Sequence, residues 1–206
     1  MKILGIDEAG RGCVIGPLVV AGVVISAKTL EKLSELGVRD SKELTRAQRA
    51  RIAHEIERLA QKIIVLAIEP SELDENLTEI ELRAMGQIIQ ESGAERIYLD
   101  LPVGPRAHGS FIQRLRAYTE FELIAENRAD AKYPIVSAAS IIAKVSRDRA
   151  IELLWQEYGD FGWGYPSEPK TRAFLKEFFE RTGRFPTCAR RKWHTLHKLT
   201  ELSLDL

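Results

Sequence analysis

Long apolar runs are missing from this chain. The longest, residues 18–25 and 63–68, fall far short of the ~20 residues that a membrane-spanning helix needs. The N-terminal apolar stretch is cut short by Asp7 and Glu8, so it does not have the form of a signal peptide. Cysteine is scarce as well. Cys13 and Cys188 have no metal-ligand spacing and form no framework, which leaves reduced buried thiols or one long-range disulfide. Neither sign of charge is in excess: 30 Lys and Arg balance 30 Asp and Glu, so net charge selects no partner. Asparagine occurs twice amid many Glu and Arg, a composition that leans toward a heat-adapted source. There is no internal repeat, low-complexity tract or long linker, and hence no clean domain boundary. What is present is ordinary globular composition, 45% hydrophobic and 29% charged over 206 residues. That is enough to build a core without staples and suits a cytoplasmic protein.

Periodicity supplies the elements. A strand over residues 2–7 is closed by Gly10, Gly12 and Gly16-Pro17. The β-branched run 18–26 reads as a central strand paired antiparallel to it. Thr45-Arg46-Ala47-Gln48 is a capping box ahead of a helix, and a strand over 62–68 follows. Thr78-Glu79-Ile80-Glu81 reads as a second capping box, opening a helix that stops near Gly93. A strand at 96–101, a helix around 107–117 and a strand at 120–125 come next. Pro134 then opens a long helix to about Tyr158. Past the glycine-rich stretch 159–164, only helices are expected, at 169–181 and 189–202. The fold class is therefore α/β, a mixed sheet flanked by helices with a C-terminal helical appendage. Residues 1–160 are expected to form the catalytic domain and 161–206 the helical segment.

Charge is unevenly spread. Residues 69–81 carry six acids and no base, while 181–198 carry Arg181, Arg184, Arg190, Arg191, Lys192 and Lys198 and no acid. A basic tail on a neutral protein fits either a polyanion or a solvated helix face.

Four acids stand out. Asp7 is expected at the end of the first strand. Period-2 alternation in Arg96-Ile97-Tyr98-Leu99-Asp100 sets Tyr98 and Asp100 on one face, with Asp100 at a carboxyl end where α/β sheets place their sites. Asp130 precedes the Pro134 helix, and Glu8 adjoins Asp7. Carboxylates gathered at one sheet end repel one another unless protonated or bridged by a cation. Oxygen ligands without His or Cys favour Mg²⁺ or Mn²⁺. Taken singly, such acids also serve as turn or cap residues, and neighbours on a strand point to opposite faces. Asp7 and Glu8 would share a site only if the chain turns there. Gly10-Arg11-Gly12 is either a tight turn or a loop whose N–H groups bind anionic oxygen. Ser137, Ser140, Lys144 and Arg147 make a stripe on the long helix, either a phosphate-following face or a solvated one.

These residues together resemble type 2 ribonuclease H, in its archaeal and eukaryotic branch. The resemblance runs through Gly5-Ile6-Asp7-Glu8-Ala9-Gly10-Arg11-Gly12, Asp40-Ser41-Lys42-Glu43-Leu44-Thr45, Tyr98-Leu99-Asp100 and Ala129-Asp130 with Tyr133-Pro134. It continues through residues 137–145, Gly164-Tyr165-Pro166-Ser167 and Cys188-Ala189-Arg190-Arg191-Lys192-Trp193-His194-Thr195. The resemblance implies a ribonuclease H-like sheet with a C-terminal segment completing a nucleic-acid groove. It implies a monomeric endoribonuclease cleaving RNA in RNA–DNA hybrids and single ribonucleotides embedded in duplex DNA. Two Mg²⁺ or Mn²⁺ ions would support in-line hydrolysis to 3′-hydroxyl and 5′-phosphate ends. By motif, Asp7, Glu8, Asp100 and Asp130 match the catalytic metal ligands. Gly10, Arg11 and Gly12 match the loop that senses the 2′-hydroxyl, Tyr165 the tyrosine that stacks on the junction sugar, and Lys42 and Lys144 phosphate contacts. The chain departs from the pattern at Cys13, Trp163, Glu168 and Lys192, where Pro, a small residue, Asp and Ser are commoner. Two alternatives stand beside this: a type 3 enzyme, and a hybrid-binding protein without catalysis.

Overall fold

The computed structural model describes residues 1–38, 44–73, 76–193 and 196. Five strands, β1 (Lys2–Ala9), β2 (Leu18–Ser26), β3 (Lys62–Ile68), β4 (Arg96–Asp100) and β5 (Glu122–Glu126), form one sheet in the order β3-β2-β1-β4-β5. β1 runs antiparallel to β2 and parallel to β4, which is parallel to β5. The α-helices are α1 (Leu30–Glu35), α2 (Arg46–Leu59), α3 (Leu77–Ser92), α4 (His108–Leu115), α5 (Ala129–Lys132), α6 (Pro134–Tyr158) and α7 (Pro169–Thr182).

The chain divides into two compact units. One comprises Met1–Ala9, Val19–Leu66 and Thr78–Ser146; the other comprises Gly10–Leu18, Ala67–Leu77 and Arg147–Leu206. In the first, alternation on β1 and β2 sends Ile3, Ala21, Val23 and Ile25 into a core with Ala53 and Ile56 of α2 and Ile135, Ala138, Ala139 and Ile142 of α6. α6 crosses β1 at Gly5, where a Cβ would lie 2.2 Å from the carbonyl oxygen of Ile135. Only a hydrogen side chain admits the helix backbone there. On the other face, a Cβ on Gly22 would meet Ile88 of α3 at 2.3 Å, so helices cover both faces. In the second unit, Val14, Ile15, Ile151, Phe161, Leu175, Cys188 and Ala189 form a separate core. Both cysteines are buried and free.

Three expectations change. β1 extends two residues beyond Asp7, because Asp7, Glu8 and Ala9 still pair with Ala21, Val20 and Val19. α3 begins at Leu77, so Thr78 lies inside its first turn rather than capping it; Asn76, itself a cap-favouring residue type, precedes it. The Thr45–Gln48 capping box is present as expected. The chain at 189–193 is not helical. Ala189 bridges to Ile15 and a turn follows, because the buried Arg190 is drawn toward loop carbonyls of its own unit. Most of 194–202 lies outside the described residues.

Replacing Gly5 with Ala tests the crossing. Overpacking against helix backbone is expected to lower unfolding stability by about 2 kcal/mol or more, measured by denaturant unfolding; an unchanged midpoint would contradict it.

Candidate active site

The parallel register sets the first pair of acids. Ile6 of β1 aligns with Leu99 of β4, so Asp7 and Asp100 come next on neighbouring strands. Alternation points both toward the Gly5 side of the sheet, the side α6 covers. Asp7 is 5% exposed. Burial pushes its carboxyl up to about 7. The Ser140 hydroxyl opposes that rise, the like charge of Asp100 adds to it, and the Glu8 N–H and the Lys144 ammonium oppose it. Ser140 and Lys144, four residues apart on α6, thus face Asp7 from above.

Asp100 is held from the other side. The backbone N–H of Ala129, first residue of α5, donates to Asp100 Oδ1 at 2.8 Å. Asp130 is the next residue and is 4% exposed. A sharp turn makes this possible: Arg128 adopts a left-handed conformation at φ 59°, and the Asn127 amide donates to the carbonyls of Leu101 and Val103 at 2.9 and 3.0 Å. Glu126, the last residue of β5, accepts from Lys132 Nζ at the far end of α5 at 2.8 Å and from the Tyr133 hydroxyl at 2.8 Å.

Glu8 is placed differently. Its N–H donates to Asp7 Oδ1 at 2.8 Å, but β1 is still regular here. Strand alternation therefore starts its side chain on the face opposite Asp7, and the chain turns only after Ala9. The parallel register and the Ala129 N–H bring Asp7, Asp100 and the Asp130 helix start into one neighbourhood, while strand alternation starts Glu8, the next residue of β1, on the other face.

A divalent cation suits this set chemically. Glu8 Oε2 and Asp130 Oδ1 are enclosed oxygens that accept no hydrogen bond among the described residues, though both residues make other polar contacts. The buried Asp7 next to Asp100 cannot ionise without compensation. Among the described residues, no three His, Cys, Asp or Glu side chains stand close enough to hold a metal ion between them. Mg²⁺ is commonly held in this manner, by one or two carboxylates with water and substrate phosphate completing the shell.

The glycine loop belongs to the second unit. The Arg190 guanidinium, in a residue 1% exposed, donates to the carbonyls of Gly10, Arg11 and Gly16 at 2.7, 3.1 and 3.0 Å. In a trans peptide the next N–H points opposite to the carbonyl, so the N–H groups of Arg11 and Gly12 face away from Arg190. Gly10 has φ +86°, and a Cβ there would lie 2.2 Å from Arg147 Nε. Gly12 is exposed, with nothing within 4 Å of a Cβ. Its lack of a side chain answers no need of the protein's own packing. Tyr165, also in this unit, is 44% exposed, and its ring lies 5.7 Å from the Arg147 guanidinium. Lys42 lies outside the described residues.

The α6 stripe is neither a phosphate track nor a solvated face. Ser137, Ser140 and Arg147 are buried, with Ser137 donating to Val38 and Arg147 to the carbonyls of Ile15 and Trp163 at 3.0 and 3.1 Å; Lys144 alone is half-buried. The signal was present: residues 134–143 are apolar or small on every side, the mark of a helix enclosed all round. Nothing in the sequence pattern singled out Arg190 from its basic neighbours.

Acids at the carboxyl ends of adjacent parallel strands, in a sheet ordered 3-2-1-4-5, define the ribonuclease H-like class of nucleases. Residues 4–196 match the family model described as Ribonuclease HII, and the chain belongs to that family. Ribonuclease HII of Pyrococcus horikoshii is 45% identical over 98% of this chain and 94% of its own, and that of Archaeoglobus fulgidus is 45% identical over 98% of both. The crystal structure of ribonuclease H2 from Pyrococcus horikoshii superposes with a TM-score of 0.91 at 42% identity, covering all of both chains. RNase HII from Archaeoglobus fulgidus, in its complex with PCNA, gives 0.86 at 44% identity over 94% and 95% of the two chains. Bst-RNase HIII in complex with Mn²⁺ gives 0.82 at 21% identity, over all of this chain and 71% of that one, a likeness of fold. The chain is accordingly a metal-dependent endoribonuclease of the ribonuclease H kind.

The raised pKa of Asp7 has a consequence in cation-free buffer. The unfolded chain releases the proton near pH 4, while the folded protein keeps it to about 7. The contribution of this group to stability is therefore fully present below about pH 4 and lost progressively as pH rises to about 7. Asp7→Asn removes this loss: its melting temperature is expected to exceed that of wild type at pH 8, with the difference closing by pH 4. An equal difference at both pH values would contradict the burial of an ionisable Asp7.

Proposed function

We propose that this protein cleaves the RNA strand of RNA–DNA hybrids and duplex DNA at single embedded ribonucleotides, leaving 3′-hydroxyl and 5′-phosphate ends. The observation that carries the reading is Asp7, buried, beside Asp100, half-buried, on adjacent strand ends, with Asp7 followed closely in the chain by a glycine loop whose Arg11 and Gly12 N–H groups face away from Arg190.

Asp7, Glu8, Asp100 and Asp130 would hold Mg²⁺ or Mn²⁺, two ions when substrate is present. When bound, such ions supply Lewis acidity for in-line attack of water on a phosphodiester. Ser140 and Lys144 keep Asp7 oriented and limit its protonation. The 2′-hydroxyl is the group that separates RNA from DNA at one position, and it is both donor and acceptor. Backbone groups of Gly10, Arg11 and Gly12 can bond it whatever base is attached. Arg190 fixes that selectivity by occupying the loop carbonyls. Tyr165 presents a flat face to the neighbouring sugar, and Lys42 and Lys144 add phosphate contacts. Residues 161–206, which carry Tyr165 and the basic turn at Arg191 and Lys192, contribute contacts to the duplex, and the enzyme acts as a cytoplasmic monomer.

The test offers a DNA duplex containing one ribonucleotide, an all-DNA duplex and an RNA–DNA hybrid, each with Mg²⁺ or Mn²⁺. Cleavage of the first on the 5′ side of the ribonucleotide and of the hybrid, with the all-DNA duplex intact, is expected. Asp7→Asn should fall by at least ~10³-fold in turnover while remaining folded, on the scale of losing catalytic machinery. Binding without cutting, or wild-type turnover in that variant, would overturn the reading.

A further inference from the structure

Tyr165 lies in the connection between α6 and α7, where Gly162 and Gly164 adopt φ +84° and +82°. Such a loop needs something to hold it, and the structure provides an acid. Glu168 stands at the N-cap of α7 yet makes no side-chain cap bond. Its Oε2 turns back instead and accepts the N–H of Trp163 at 2.8 Å and of Tyr165 at 3.3 Å, with the Thr171 hydroxyl 2.9 Å away. The Glu168 N–H donates to the Tyr165 carbonyl at 3.1 Å, closing a turn with Pro166 at its second position. A Cβ on Gly162 would lie 2.9 Å from Glu168 Oε2, so the carboxylate packs directly on the loop backbone. The buried Thr171 hydroxyl, 3.0 Å from the Phe161 carbonyl, braces the carboxylate from behind.

We propose that Glu168 is a positioning residue that presets the backbone of residues 163–165, so that the Tyr165 ring is presented to substrate already ordered. The proposal rests on the reading of Tyr165 as a substrate contact. A charged acceptor shared by two amides makes charge-assisted bonds. The length of the side chain matters: an Asp would be shorter by one C–C bond, about 1.5 Å, and would not keep both amides. The ring is then steadied by the Arg147 guanidinium. Preordering removes the conformational entropy that a free loop loses on binding.

Two measurements on the full chain test this. The first is amide hydrogen exchange at Trp163 and Tyr165 in Glu168→Ala, Glu168→Asp and Glu168→Gln, each checked for folding by thermal unfolding. Exchange is expected to quicken at least tenfold in the Ala variant and to stay within threefold of wild type in the Gln variant, which keeps length and an acceptor oxygen. Wild-type exchange in Glu168→Ala, or equal quickening in Glu168→Gln, would overturn the proposal. The second is a double-mutant cycle on kcat/KM with the single-ribonucleotide duplex. Glu168→Ala is expected to lose about tenfold alone and nothing further in a Tyr165→Ala background. The same loss in both backgrounds would overturn action through Tyr165. If Tyr165→Ala cleaves as fast as wild type, the substrate reading of Tyr165 fails, and the exchange rates alone decide whether Glu168 sets the loop.

Discussion

A buried carboxyl set beside a half-buried one opposes folding in the bare protein, and most of the first unit can be understood as arranging for them to stay there. Adjacent parallel strands in matching register deliver Asp7 and Asp100 together. α6 closes over them because Gly5 lets its backbone approach β1. Burial raises the pKa of Asp7 and the charge of Asp100 raises it further, whereas the Ser140 hydroxyl and the Lys144 ammonium hold the rise in check. A site so biased takes up positive charge readily, and a metal-dependent hydrolase needs that property.

The second unit solves a different problem, which is to display backbone. A loop meant to read a hydroxyl through its amides must not use them internally, and its carbonyls must be occupied elsewhere. Arg190 does this with three donated bonds from a fully enclosed guanidinium. Arg147 plays a similar part beside Tyr165, bonding the carbonyls of Ile15 and Trp163. Both arginines satisfy buried backbone acceptors that would otherwise be costly, and neither is free to meet phosphate.

Much of this was legible in the sequence. The strand alternation of residues 96–100 places Tyr98 and Asp100 on one face, and Tyr98 meets Tyr133 there, with ring centroids 4.8 Å apart and the rings tilted by 47°. The long helix opening at Pro134 and the capping box at Thr45 follow from local rules of termini and propensity. What periodicity alone missed depends on tertiary partners. β1 runs past Asp7 because β2 continues to pair with it, which no local pattern announces. Arg147 and Arg190 look like surface cations until the carbonyls they meet, from residues more than a hundred positions away or across the glycine-rich connection, are in place. The polar stripe on α6 is enclosed because apolar and small residues occupy the remaining sides of the helix through residue 143.

The account stands on Asp7 and Asp100 together attracting a divalent ion. Isothermal titration calorimetry of Mn²⁺ into the full chain, compared with the Asp7→Asn, Asp100→Asn double variant, tests this without any nucleic acid. Saturable heats with the wild type and none with the folded double variant are predicted; equal binding by both would contradict it.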